Sequence, residues 1–128
     1  MSNVELQKDV SQDSGVKATY LFATIGSLTE RGGRVTEVTT RMKIAGLGLA
    51  CVGDTVTYND GSEATIIDGA GFAAVYDNRP LALVGSHLSN GDKIIETLQD
   101  GRGITLRDGK PIPGLFDPAY VPPQVEKV

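Results

Sequence analysis

Asn78-Arg79-Pro80-Leu81-Ala82-Leu83-Val84-Gly85-Ser86 joins a turn, a rigid proline exit and a short apolar run that closes on glycine. The same plan appears upstream as Gly46-Leu47-Gly48-Leu49-Ala50-Cys51-Val52-Gly53-Asp54, and downstream, shortened, as Gly109-Lys110-Pro111-Ile112-Pro113-Gly114. The turn residues fall at 46, 78 and 109, in steps of 32 and 31. A near-constant step of this size is the signature of repeated supersecondary units. Three units in one chain predict a body with internal pseudo-threefold symmetry, a shape suited to a threefold partner.

The rest of the chain reads as short strands between turns. Thr19 to Ile25 is rich in β-branched and aromatic residues, and Arg34 to Thr40 alternates as a strand with one wet face does. Thr55 to Tyr58 and Glu63 to Ile67 flank Asn59-Asp60-Gly61-Ser62, a strong hairpin signal. Phe72 to Tyr76 and Leu81 to Val84 flank Asp77-Asn78-Arg79-Pro80, and Lys93 to Leu98 and Gly103 to Arg107 flank Gln99-Asp100-Gly101-Arg102. Ile44 to Val52 is a further run, interrupted by Gly46 and Gly48. Runs of four to nine residues with a turn about every ten predict an all-β fold. Asn at 78 tolerates a left-handed backbone. Pro80 cannot donate to a sheet and belongs at a strand start or an edge.

At 128 residues the chain is one ordinary domain. Residues 1–16 are polar and aperiodic and read as a flexible N-terminal arm. Residues 17–114 form the β domain. Residues 115–128, with Pro118, Pro122 and Pro123, read as an extended tail too short for a second domain. A net charge of −4 argues against a nucleic-acid partner, and there is no polybasic cluster for acidic lipids. Residues 1–14 hold Glu5, Asp9 and Asp13 and no apolar core of a signal peptide. No apolar run nears the roughly 18 residues of a membrane span. The expected location is the cytoplasm, with any export independent of a signal peptide.

Few residues suggest chemistry. His87 is the single histidine and Cys51 the single cysteine, so no internal disulfide forms. Structural zinc wants about four N or S ligands, and two fall short unless carboxylates or symmetry mates add to them. Cys51 sits in the apolar run Leu49-Ala50-Cys51-Val52, where a free thiol behaves as a small hydrophobe. No nucleophile elbow, phosphate loop or His-Glu-x-x-His motif is present, so no catalytic, cofactor-binding or metal-ligating residue is assigned and no enzyme is expected. Asp54, Asp60, Asp68, Asp77, Asp92, Asp100 and Asp108 read as turn formers. Gly32-Gly33 and Gly69-Ala70-Gly71 read as tight turns, because no strand-to-helix transition follows them. Leu47, Leu49, Val52, Leu81, Leu83 and Val84 are expected in the core.

Asn78 to Ser86 resembles the Asn-Gly-Arg-Pro-Ala-Ala-Arg-Val-Gly-Asp signature of PAAR-motif proteins, with Pro80 and Ala82 kept. The closing Val-Gly-Asp recurs at Val52-Gly53-Asp54 and, altered, at Val84-Gly85-Ser86, with an echo in Ala23-Thr24-Ile25-Gly26-Ser27. The resemblance spans about residues 20 to 114. It implies a conical tip that caps and sharpens the trimeric VgrG-type β-helical spike of a type VI secretion system or a phage-like contractile machine. The tip aids membrane puncture and can travel with effector cargo. Many members carry a toxin after the tip module; residues 115–128 are too short for one. The family also implies an apex zinc or iron, typically on three His and one Cys, with His87 near a ligand position; here only His87 and Cys51 are available. Three units in one chain imply a monomer when isolated. The competing reading is a free-standing ligand-binding β module, for carbohydrate for example, and a distant third is a small hydrolase.

Overall fold

The structure is a computed structural model that describes residues 15–123. The arm expected over 1–16 therefore lies outside the described residues up to residue 14. Among the described residues eleven strands occur, none longer than six residues: β1 (Val16–Leu21), β2 (Leu28–Thr29), β3 (Arg34–Glu37), β4 (Lys43–Ile44), β5 (Leu47–Gly48), β6 (Thr55–Thr57), β7 (Glu63–Thr65), β8 (Val75–Tyr76), β9 (Arg79–Pro80), β10 (Ile94–Glu96) and β11 (Gly103–Arg107). One 3-10 turn, Gly71–Ala73, is the sole helical element among the described residues. The fold is all-β, as the strand and turn spacing predicts.

One backbone pattern occurs three times. Thr24, Cys51 and Leu83 each open a turn whose fourth residue is Ser27, Asp54 or Ser86. The fourth residue's amide donates to the first residue's carbonyl at 3.0, 3.0 and 2.9 Å. Its side-chain oxygen accepts the first residue's amide, at 2.9 Å in all three. The third residue is Gly26, Gly53 or Gly85, at φ 86°, 98° and 107°. Only glycine takes that left-handed geometry without strain, which fixes the Gly of the recurring Ile/Val-Gly-Ser/Asp. Just before each turn lies a fully buried alanine, Ala23, Ala50 or Ala82. The three are joined in a ring: Ala23 N–H to Ala82 O, Ala82 N–H to Ala50 O, and Ala50 N–H to Ala23 O, at 2.9, 2.9 and 3.0 Å.

Each turn leads into a hairpin, over 27–35, 54–66 and 86–94. The turn glycine amides donate to Val35, Ile66 and Ile94 at the hairpins' far ends, each at 2.8 Å. The three loops, 29–33, 58–62 and 88–92, are alike in carrying Gly32, Gly61 and Gly91 at φ 90°, 88° and 89°. The hairpins share one sheet, ordered β10-β2-β3-β6-β7. Ile66 pairs with Leu88 and His87 with Lys93, so the last hairpin meets both edges and closes the sheet on itself. Val35, Val56, Ala64, Ile66, Leu88 and Ile94 fill the interior above the alanine ring. Closure leaves these hairpins without a free edge.

Three two-stranded ribbons feed the three turns: β1–β11, β4–β5 and β8–β9. Separate apolar clusters lie under them, one of Leu49, Cys51 and Leu81 and one of Ala70, Leu83 and Ile104. Leu49, Leu81 and Leu83 are core as expected, while Leu47, Val52 and Val84 are half-buried.

Several boundaries differ from the sequence expectation. The turns at 46, 78 and 109 mark ribbon ends, but the recurring unit is set by Gly26, Gly53 and Gly85, in steps of 27 and 32. The first unit precedes Gly46, and no Ala-x-x-Gly turn follows Gly109. Ile44 to Val52 is split by the turn at Ala45-Gly46, with Lys43 opposite Gly48 and Ile44 opposite Leu47. Lys93 to Leu98 and Gly103 to Arg107 do not form a hairpin: β10 pairs with β2, and β11 pairs with β1. Gln99 explains the divergence. Its buried amide accepts the Gly101 and Arg102 N–H groups and donates to the Phe22 and Arg102 carbonyls. The intervening loop is thus self-satisfied and aims the two strands apart. Leu115 and Phe116, in the segment expected to be a tail, pack on the cluster under β1, and Phe116 N–H bonds to Gly69 O at 2.8 Å.

Candidate functional site

The three hairpin loops meet. Asp92, at the end of the third loop, is fully buried. One carboxylate oxygen accepts the backbone N–H of Arg31, from the first loop, at 3.1 Å, and that of Lys93 at 2.8 Å. The other accepts the hydroxyl of Tyr58, from the second loop, at 2.5 Å. Asn90 braces the group: its amide donates to the Tyr58 hydroxyl at 3.1 Å, and its side-chain oxygen accepts the Asp92 N–H at 3.0 Å. The Arg31 guanidinium donates to the Asn90 carbonyl at 3.0 Å. Burial pushes Asp92 up, but hydrogen bonds from Thr29, Tyr58 and the Lys93 and Arg31 amides outweigh it and hold the carboxyl below its ordinary value. Burial, and then the Asp92 carboxylate, raise Tyr58.

A second buried acid organises the middle unit. Asp54 stands where the other units have serine, and its extra oxygen takes extra donors. It accepts the Cys51 N–H at 2.9 Å, the Thr39 N–H at 3.2 Å and the Thr39 hydroxyl at 2.6 Å. Arg79, at the start of β9, donates to the Thr39 hydroxyl at 2.8 Å and to Val52 O at 3.3 Å. The third ribbon is thereby tied to the second turn. Cys51 is completely buried beside this network, and burial drives its thiol up.

His87 lies elsewhere, on the outer face of the third hairpin. Its Nδ1 is 2.7 Å from Asp68 Oδ2, and its backbone N–H donates to Asp68 Oδ1 at 2.9 Å. Phe116 meets the ring edge-on at 6.3 Å. Asp68 is buried and the His87 side chain half exposed. The structure does not bring His87 and Cys51 together: one partners Asp68, the other Thr39 and the core. Among the described residues no three His, Cys, Asp or Glu side chains gather so as to hold a metal ion. The donor set therefore does not fit the apex metal that the family resemblance implies.

The buried carboxylates Asp54, Asp68 and Asp92 are what sequence reading undervalued. Each precedes or follows a turn, but each also binds groups from a distant segment. The one local signal was in the turns themselves, where Asp54 replaces the serine of its counterparts.

Exposed apolar side chains gather mainly outside the hairpin sheet. Among the described residues, the exposed large apolar side chains are Val16, Met42, Phe72, Val75, Ile95, Leu98 and Val121, and of these only Ile95, on β10, belongs to that sheet. Val16 is on β1, Met42 directly precedes β4, and Val75 is on β8, so each ribbon presents one. No helix among the described residues is long and apolar enough to cross a membrane.

A closed sheet of like hairpins, each led by an Ala-x-Ile/Val-Gly-Ser/Asp turn, defines a repeat-built all-β module. Residues 25–96 match the PAAR motif, and the chain belongs to the PAAR motif family. The family is associated with the spike tip of type VI secretion and with a spike partner. No curated protein matches the chain.

Proposed function

We propose that this protein is the terminal cap of a trimeric VgrG-type β-helical spike, seated on it by its ribbon end and sharpening it at the converging hairpin loops. The observation that carries this reading is the threefold recurrence of one hydrogen-bond pattern, from ribbon to turn to hairpin, joined by the ring of Ala23, Ala50 and Ala82. In this reading a pseudo-threefold axis passes through that ring and matches the partner's true axis. The blunt end of a β-helix leaves unpaired backbone donors and acceptors, and ribbons with outer edges can complete them. Val16, Met42 and Val75 add one apolar contact per ribbon. The reading uses no catalytic residue: the Cys51 thiol is buried and pushed up, not activated. In this reading export follows from riding the spike.

The test pairs light scattering with co-sedimentation on a spike trimer. The isolated protein should be a monomer, and one copy should be captured per trimer. Met42→Asp and Val75→Asp should abolish capture, while Thr36→Asp, on the outer face of a hairpin, should leave it intact. A stable homotrimer at low concentration, or capture indifferent to the ribbon variants, refutes the reading.

A further inference from the structure

The loops that meet at the hairpin end are joined without the donor set of a metal site, and the joining group is a single carboxylate. We infer that Asp92 is a clasp that ties the three hairpin loops into one rigid point, in the place of a metal. Three observations carry this. Asp92 has no exposed surface, and both of its oxygens are taken. Its donors come from both other hairpins, the Arg31 amide of the first and the Tyr58 phenol of the second. A further layer, Asn90 and the Arg31 guanidinium, bonds the donors to the third loop again, so releasing one loop strains the other two. A buried carboxylate with charge-assisted hydrogen bonds is costly to leave unpaired, which makes the arrangement all-or-none.

The neighbouring charges leave this group isolated. Lys93 bonds to it through its backbone only. Asp60, exposed at the second loop, spends its carboxylate on the Ser62 amide and hydroxyl. Glu30 is exposed beside Arg31. The inference does not depend on what the ribbon end binds.

The experiment is amide hydrogen exchange by NMR on the full chain, with and without EDTA, alongside elemental analysis. The Arg31 amide should be protected equally in both conditions. In Asp92→Asn, which keeps the shape and loses the charge, Arg31 should exchange about tenfold faster or more, with loosening also at Gly61 and Ser62 of the second loop. The turn amides of Ser27, Asp54 and Ser86 should not change. Should Asp92→Asn not fold, Tyr58→Phe removes one hydroxyl and should still raise exchange in loops 88–92 and 29–33. Loss of Arg31 protection in EDTA, stoichiometric bound metal, or variant effects confined to the mutated loop would each overturn the clasp.

Discussion

Asn78 sits at φ 66° and its neighbour Asp77 at φ 51°, so both central residues of the β8–β9 turn are left-handed. That is the geometry of a two-residue hairpin loop, and Asn is one of the few side chains that bear it. Asn78→Gly should therefore be neutral or slightly stabilising. Asn78→Val should cost on the order of 1–2 kcal/mol, because a β-branched side chain resists φ > 0. Equal thermal midpoints for the two variants would refute the turn assignment. This residue was legible in the sequence because its constraint is local. Asp54, Asp68 and Asp92 were not: their neighbours in sequence reveal a turn, while Thr39, His87, Tyr58 and Arg31, which explain their burial, arrive only through the fold.

At the scale of elements, the clasp between hairpin loops has a pH window. Asp92 is lowered in the folded protein, so its contribution is full above the unfolded carboxyl value of about 3.9 and fades as pH falls through the folded value. Tyr58 is raised, so its share persists up to the unfolded phenol value of about 10 and is lost only as pH rises through the folded one. Stability supplied by the clasp should thus be flat from about pH 4 to about pH 10. Subtracting the thermal-midpoint profile of Asp92→Asn from that of the native protein should give a plateau there and a fall below it. A difference that peaks near neutrality would contradict the hydrogen-bond assignment. Hairpins resting on local turn chemistry were legible, as Asn59-Asp60-Gly61-Ser62 between β6 and β7 illustrates. The strands flanking Gln99-Asp100-Gly101-Arg102 were not legible as partners of other strands, because the single side-chain amide of Gln99 that redirects them carries no local signature.

At the scale of the whole molecule, fold class and family were readable, while the framing of the repeat was not. Two units build their ribbon from adjacent residues. The first borrows β11, with Gly103 opposite Leu21 and Arg107 opposite Val16. The glycine turn at 109 therefore belongs to a ribbon whose other strand opens the described chain, which made it look like the start of a third repeat. Phe22 accepts from Thr97 and Gln99 and donates to Arg102, so the same borrowing anchors the first unit. A chain ended at Arg102 should leave amides 16–21 unprotected in hydrogen exchange and expose Leu83 and Tyr20, while Thr55 to Thr65 keeps residual protection. Full protection of 16–21 in that chain would refute the dependence.

The pairing of β1 with β11 also sets an order in time. On the ribosome Val16 to Leu21 emerges early and finds no strand beside it, because its partner is made more than eighty residues later. Closing so long a loop is slow next to closing a four-residue turn. The middle and last units can form as they are synthesised, but the alanine ring needs Ala23 held in place, and β1 holds it. Assembly should finish in a single late step, so that a half-made chain offers no competent tip to the machine it serves.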